Sequence, residues 1–162
     1  MAGVISVERV VVGDEERAAS ILVEAATWLA DTGRPQWNVG GLAESVAHAV
    51  AVGEAYVATV NGDDVASWFL NAQDTFWWPE LGEDHESRFF HKFAIRRRFA
   101  GTGASSAVLE WSINDTRNAG SRWLRLDCMD RPPLRRLYER AGFTLHDTVT
   151  IPGWRPTPAA MS

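Results

Sequence analysis

The stretch "HKFAIRRRFAGTGASSAVLEW", residues 91–111, passes from an apolar run through three arginines to two glycines and then to apolar positions at helical spacing. A strand that stops at a glycine turn and feeds a helix leaves the first helical N–H groups without intrahelical partners and aimed at one point, where an anion can satisfy them. Glycine lets the backbone come close to that anion because no Cβ intrudes. "AGTGAS" therefore reads as a phosphate cradle, against the plainer alternative of a tight turn before a helix.

Upstream of this junction, residues 4–12 alternate as a strand, and Asp14, Glu15 and Glu16 sit where negative charge favours a helix start. Ala18, Ile21, Leu22, Ala25 and Leu29 form one stripe of that helix, which ends near Gly33. "GRPQWNVGG" reads as a loop, and Leu42, Val46, Ala49 and Val50 mark a second short helix that stops at Gly53. "EAYVATV" and "VASWFLNA" flank "NGDD", and Asn-Gly between apolar runs signals a hairpin because both turn residues accept positive φ. "QDTFWWPELGEDHES" is then a long acidic and aromatic connection leading to the strand "RFFHKFAI".

Downstream, Ala104, Ala107, Val108 and Trp111 predict a helix ending by Gly120, followed by the strand "RWLRLDC". "RPPLRRLYERAG" opens with prolines suited to a first helical turn and puts Leu134, Leu137, Tyr138 and Ala141 on one face. "FTLHDTVTI" alternates as the last strand, and the tail from Pro152 is expected to be loosely ordered. The order is βααββ then βαβαβ, in which the hairpin implies antiparallel neighbours and the strand–helix–strand crossover a parallel pair. The expected fold is a single α/β domain over residues 1–162, with a mixed, mostly antiparallel sheet and helices on both faces.

Composition narrows the function classes. A net charge of -5 and no clustered basic footprint argue against nucleic acid as the main partner. A single cysteine, Cys128, makes neither an internal disulfide nor a multi-cysteine zinc site, so a reducing, cytoplasmic compartment is expected and no metal. The N-terminal run carries Glu8 and Arg9 and is unlike a secretory or membrane segment. A Walker loop requires a Gly-Lys-Ser/Thr ending that is absent. The dinucleotide fingerprint is a closer rival: Gly101 and Gly103 give G-x-G, Ser106 stands for the third glycine, and Asp127 ends the next strand. It fails on topology, because that fingerprint opens the first βαβ unit of a larger sheet and here a hairpin precedes it.

"FAIRRRFAGTGAS" together with "LYERAGF" resembles the GNAT family of N-acetyltransferases, whose members carry an R/Q-x-x-G-x-G/A loop after the fourth strand and a helix ending Y-x-x-x-G-F. The element order is similar as well, so the resemblance spans nearly all of residues 4–151. It implies a splayed parallel strand pair that admits acetyl-CoA as cosubstrate. Phe93, Ala94 and Ile95 would contact its pantetheine arm, and Ala100, Gly101, Thr102, Gly103, Ala104 and Ser105 its pyrophosphate. Two registers fit the loop. Read literally, Arg98, Gly101 and Gly103 match; counted from the strand end at Ile95, Ala100 takes the Arg/Gln position and Ser105 the last small one, with Arg97 or Arg98 as compensating cations. The second is favoured because it starts the helix at the residues facing the pyrophosphate. Arg131 stands where members often have asparagine.

By the same resemblance the reaction is direct attack of a primary amine, from a small molecule or a peptide, on the thioester. Tyr138 is then the proton donor to the leaving thiolate, a role that competes with simple packing beside Leu134 and Leu137. Candidates for the base are His91, Asp74 or a water chain from the acids of "GEDHE". Cys128 has no basic neighbour in sequence and reads as core rather than nucleophile. Trp37, Trp77 and Trp78 are expected to wall the acceptor pocket, with Trp37 and Trp78 as its binding residues, and Glu80, Glu83, Asp84 and Glu86 to draw in a cationic amine. The alternative is an acidic solvated loop whose tryptophans cover the core. A CoA-binding sensor or partner module without catalysis is the second reading and an NAD-binding domain the third. A homodimer is left open.

Overall fold

The computed structural model describes residues 4–150 and 158–161. The chain folds as two compact units, each made of two separate segments: Met1–Leu70 with Lys92–Val108, and Asn71–His91 with Leu109–Ser162. Neither unit is one continuous stretch, so no single cut divides the sequence into successive domains.

The hairpin organises the first unit. Asn61 and Gly62 both adopt positive φ, 51° and 83°, as the two-residue turn between β2 (Ala55–Val60) and β3 (Asp63–Asn71) requires. β1 (Ser6–Arg9) adds to β2 antiparallel, with Ser6 opposite Thr59 and Arg9 opposite Tyr56. α1 (Glu15–Asp31) and α2 (Val39–Ala51) bury Ile21, Leu22, Leu42 and Val46 against Val57 and Phe69. The expected loop before α2 is shorter than the sequence suggested. Asn38 Oδ1 accepts the Gly40 N–H at 3.0 Å, and this cap draws Gly40 and Gly41 into the first turn of the helix. Arg17 ties α1 to both β1 and the hairpin, 2.7 Å from Glu8 and 2.8 Å from Asp64.

In the second unit, the first half of β4 (Ser87–Ile95) runs parallel to β5 (Trp123–Met129), from Ser87 opposite Trp123 to Phe90 opposite Leu126. The crossover between them is α3 (Ala104–Asn118), the right kind of connection for a parallel pair. α4 (Pro132–Arg140) has proline in its first turn, and β6 (Leu145–Thr148) follows. The tail then departs from expectation. Pro158–Met161 forms β7, antiparallel to β5 on one side and to β6 on the other, with Leu126 and Leu145 both opposite Met161. Proline content hid it, because a four-residue strand needs backbone partners on both sides more than a hydrophobic pattern of its own, and Met161 is fully buried. The rest of the expected tail, residues 152–157 and 162, lies outside the described residues, as does Ile151 at the end of the expected last strand. The expected class holds: an α/β fold with a mixed sheet, antiparallel ladders plus the parallel β4–β5 pair.

Deleting the β7 residues Pro158–Met161 strips one backbone ladder from β5 and one from β6 and exposes the Met161 pocket. Urea unfolding of that truncation should show a loss of at least about 3 kcal/mol, combining several lost hydrogen bonds with one buried side chain. Unchanged stability would mean that the strand contributes nothing.

Candidate active site

The glycine bend has the geometry an anion needs. A single 3-10 turn, Arg97–Phe99, follows β4, and Gly101 and Gly103 then adopt φ of 76° and 86°. A Cβ on Gly101 would meet nothing within 4 Å, so the left-handed backbone, not crowding, calls for glycine there. Thr102 is held in the bend, its N–H and its hydroxyl both donating to Phe99 C=O at 3.3 and 2.6 Å. The first bond of α3 is Ala107 N–H to Gly103 C=O at 3.2 Å, which places the amides of Ala104, Ser105 and Ser106 ahead of the helical ladder. Gly101, Thr102 and Gly103 are exposed, Ser105 is half-buried and Ala104 buried.

The three arginines before the bend have different tasks. Arg96 is structural, its guanidinium 2.7 Å from Ser20 Oγ and 3.1 Å from Asp64 C=O. Arg97 stacks on Trp28 at 3.6 Å, while its N–H donates to Glu24. Arg98 is the open one, 63% exposed and only loosely paired with Asp63 at 3.9 Å. Upstream, Phe93 and Ile95 are half-buried and Ala94 is buried.

A second cluster lies in the second unit, where the β4–β5 ladder ends. His91 Nε2 is 3.0 Å from Asp74 Oδ2, and His91 Nδ1 is 3.0 Å from Asp127 Oδ1. Both of those carboxylate oxygens are buried and make no geometrically formed hydrogen bond, so the ring contact is an ion-pair contact by distance. Burial pushes the imidazole pKa down, but hydrogen bonds and charge from Asp127 and Asp74 outweigh it and raise it to about 9. Burial likewise pushes Asp74 up, and the His91 contacts with the Phe76 and Trp77 amides outweigh that, leaving it below its ordinary value. One nitrogen and two carboxylate oxygens within 4.8 Å also resemble a metal-ligand set. The two carboxylates contact different ring nitrogens, so an imidazolium also uses all three groups.

The tryptophans expected to wall the acceptor pocket lie in both units. Trp78 is 3% exposed, in the core of the second unit against Phe89, His146 and the Arg125 guanidinium, the last two at 5.0 Å. So enclosed, the ring covers and fills that core. Trp77 packs half-buried beside it. Trp37 is half-buried in the first unit, with Lys92 Nζ 5.7 Å above its ring. Of the acids, Asp84 is tied up, accepting from Ser87 Oγ at 2.8 Å while Arg125 Nε donates to that same hydroxyl at 2.9 Å; Glu80, Glu83 and Glu86 are exposed.

Tyr138 lies on α4, edge-on to Phe143 with ring centroids 6.0 Å apart. Burial, with Cys128 and Asp127 adding to it, pushes its hydroxyl pKa well up, so it stays protonated and can only give a proton away. Burial and the Asp127 and Asp130 charges push the Cys128 thiol to about 12, which removes it as a nucleophile at neutral pH. Sequence reading missed Asp127 as a partner of His91, Arg125 as a buried cation, and Gly82. Charged residues at alternate positions of an otherwise apolar strand, "RWLRLDC", were the available signal for the first two. Gly82 closes the acidic connection: a Cβ there would run into the Asp74 carbonyl.

No protein-family model matches the chain. It is 30% identical over 138 residues to the uncharacterized N-acetyltransferase YesJ of Bacillus subtilis (strain 168), covering 80% of this chain and 76% of that one. The chain belongs to the GNAT family of N-acetyltransferases. Solved structures agree on the fold. A GNAT acetyltransferase of Streptococcus agalactiae 2603 superposes with a TM-score of 0.77 at 17% identity, covering 97% of this chain and 93% of that one. One from Listeria monocytogenes 4b F2365 gives 0.76 at 18%, covering 97% and 92%. This GNAT chain is an acetyltransferase, and acetyl-CoA is the cosubstrate of the family.

Two outcomes follow for the acetyltransferase. His91 has a folded pKa of about 9, above its unfolded value near 6.5. Its stabilisation is therefore fully present below about pH 6.5 and lost as pH rises through 9, on the order of 2–3 kcal/mol, and urea midpoints measured from pH 6 to 10 should fall accordingly. A flat profile would mean an unclamped ring. Trp78→Ala should cost about 3–5 kcal/mol of stability, read by thermal or chemical unfolding, because it empties a core site.

Proposed function

We propose that the chain transfers the acetyl group of acetyl-CoA directly to a primary amine, on a small molecule or a peptide. The observation that carries this reading is the bend itself: two left-handed glycines lead into α3, whose first three amides, of Ala104, Ser105 and Ser106, are unclaimed by its helical ladder. A diphosphate fits there because each negative charge at a helix N-terminus gains about 0.3–1 kcal/mol from the dipole, to which charge-assisted hydrogen bonds add. Ala100, Gly101, Thr102, Gly103, Ala104 and Ser105 take the pyrophosphate in this reading, Arg98 supplies a nearby mobile cation, and backbone of Phe93, Ala94 and Ile95 takes the pantetheine arm.

Holding the thioester and the amine together supplies up to about 7–11 kcal/mol of the barrier reduction in the best cases. The amine nitrogen attacks the thioester carbonyl carbon, a backbone N–H of β4 stabilises the oxyanion, and the C–S bond breaks. The departing thiolate takes its proton from Tyr138, which is protonated at neutral pH. His91 is not the base in its clamped state, since both ring nitrogens already face carboxylates. No helix among the described residues is long and apolar enough to cross a membrane. With its lone cysteine buried, we place the reaction in the cytoplasm.

Free thiol released from acetyl-CoA across a panel of primary amines tests the reading, and an amine-dependent signal is expected. Tyr138→Phe should lower kcat by about 10²–10⁴ and leave the acetyl-CoA KM nearly unchanged. Full turnover by that variant, where chemistry limits the rate, would remove Tyr138 from the mechanism. Thermal stabilisation by CoA with no thiol release from any amine would favour a binding module.

A further inference from the structure

We infer that His91 is a positioning residue of the transfer reaction: held as a doubly protonated ring between Asp74 and Asp127, it fixes the point at which β4 leaves its ladder with β5, and thereby the backbone that meets acetyl-CoA. The inference rests on the cofactor reading given above.

The ladder supplies the first part of the argument. Its last backbone pair is Phe90 with Leu126, and the next rung would be His91 with Asp127. At that rung the side chains connect instead, Nδ1 to Oδ1 at 3.0 Å. Immediately afterwards Lys92 takes a φ of 52°, a left-handed conformation inside a strand, which is how a bulge re-aims the chain. Phe93, Ala94 and Ile95 follow directly.

Protonation is dictated by the partners. The charged groups facing the ring are Asp74, from the connection before β4, and Asp127, from β5; among the described residues no lysine or arginine pairs with either. Each of the two contacting oxygens is buried, without a geometrically formed hydrogen bond, and 3.0 Å from a ring nitrogen. A neutral ring has one N–H, so one buried carboxylate oxygen would face a nitrogen lone pair across that distance. A doubly protonated ring puts a charged N–H group beside each carboxylate, and the direction of the imidazole's pKa agrees. Asp74 extends the hold outward, because its Oδ1 accepts the Phe76 and Trp77 amides at 3.1 Å and so fixes the turn of the connection to the same ring. Asp127 extends it inward, since its charge also acts on Tyr138, the proposed acid.

The test joins a spectroscopic reading to steady-state kinetics. Nitrogen-detected NMR of the His91 ring should show both N–H groups at pH 7.5 in the wild type, titrating near pH 9. The kcat/KM for acetyl-CoA, at saturating amine, should fall as pH rises through the same value. Asp127→Asn removes one carboxylate, so its alkaline fall should begin at lower pH, with the acetyl-CoA KM raised about tenfold at pH 8 through misplacement of the strand. His91→Gln should raise that KM at every pH and abolish the limb. A structural role alone would lower the melting temperature of these variants without moving the limb. The inference is overturned by a singly protonated ring at pH 7.5, or by an Asp127→Asn enzyme with the wild-type limb and KM. A wild type that binds no acetyl-CoA and releases no thiol would instead overturn the cofactor reading, and the positioning role with it; wild-type turnover with indifferent variants would overturn the positioning role alone.

Discussion

β4 stops pairing with β5 after four rungs although both strands continue, and most of what is chemically interesting in this chain answers that interruption. Backbone N–H and C=O groups are obligatory hydrogen bonders, so a strand that gives up its ladder must have a replacement ready. Here a side-chain ion pair takes the next rung, a left-handed Lys92 turns the strand, and the glycine bend exposes further amides a few residues on. The interruption is a cost in stability that the side chains around it are arranged to limit.

That arrangement is electrostatic as much as apolar. Arg125 is buried with a guanidinium between Trp78 and Trp123, 5.0 Å from each, and its nearest carboxylate, Asp84, is 3.9 Å away. Burial alone would disfavour the cation, and its pKa is indeed lowered, but arginine remains charged in proteins and the aromatic faces supply part of what water no longer does. Ser87 links the two by accepting from Arg125 and donating to Asp84. Trp78 thus serves two charged groups at once by filling space: it shields Arg125 and, through the connection it anchors, keeps Asp74 in place against His91. Its loss would be felt far more in packing than in recognition.

The elements were legible where local pattern and tertiary demand coincide. Asn-Gly placed the hairpin because its two residues really do take positive φ, and the proline start and glycine end of α4 fell where they were expected. The glycine bend was legible for the same reason: Gly101 and Gly103 take positive φ, a backbone demand that sequence records directly. β7 was not legible, because Pro158–Met161 is a strand only through two neighbours far away in sequence. The His91 cluster was half legible. His91 and Asp74 stood out as titratable groups near the reaction, but Asp127 becomes their partner through a parallel register that no local pattern encodes. The burial of Trp78 was not legible, because an indole in an acidic loop looks alike whether it walls a pocket or caps a core.

The cluster also bears on where the acceptor's proton goes. A primary amine arrives as an ammonium and must lose a proton before its nitrogen can attack. A base needs a free lone pair and a pKa near the working pH. His91 has neither at neutral pH, Asp74 is pulled below the ordinary carboxylate range, and Cys128 and Tyr138 are held protonated. These four groups are thus poised to hold protons or to stay charged, not to collect a proton from an amine. In the reaction we propose, fixed residues would supply positioning and the outgoing proton, while the ammonium would lose its proton to water or arrive already neutral. An enzyme of that kind would favour amines of lower pKa, whose neutral fraction at working pH is larger, and its selectivity among acceptors would follow basicity as well as shape.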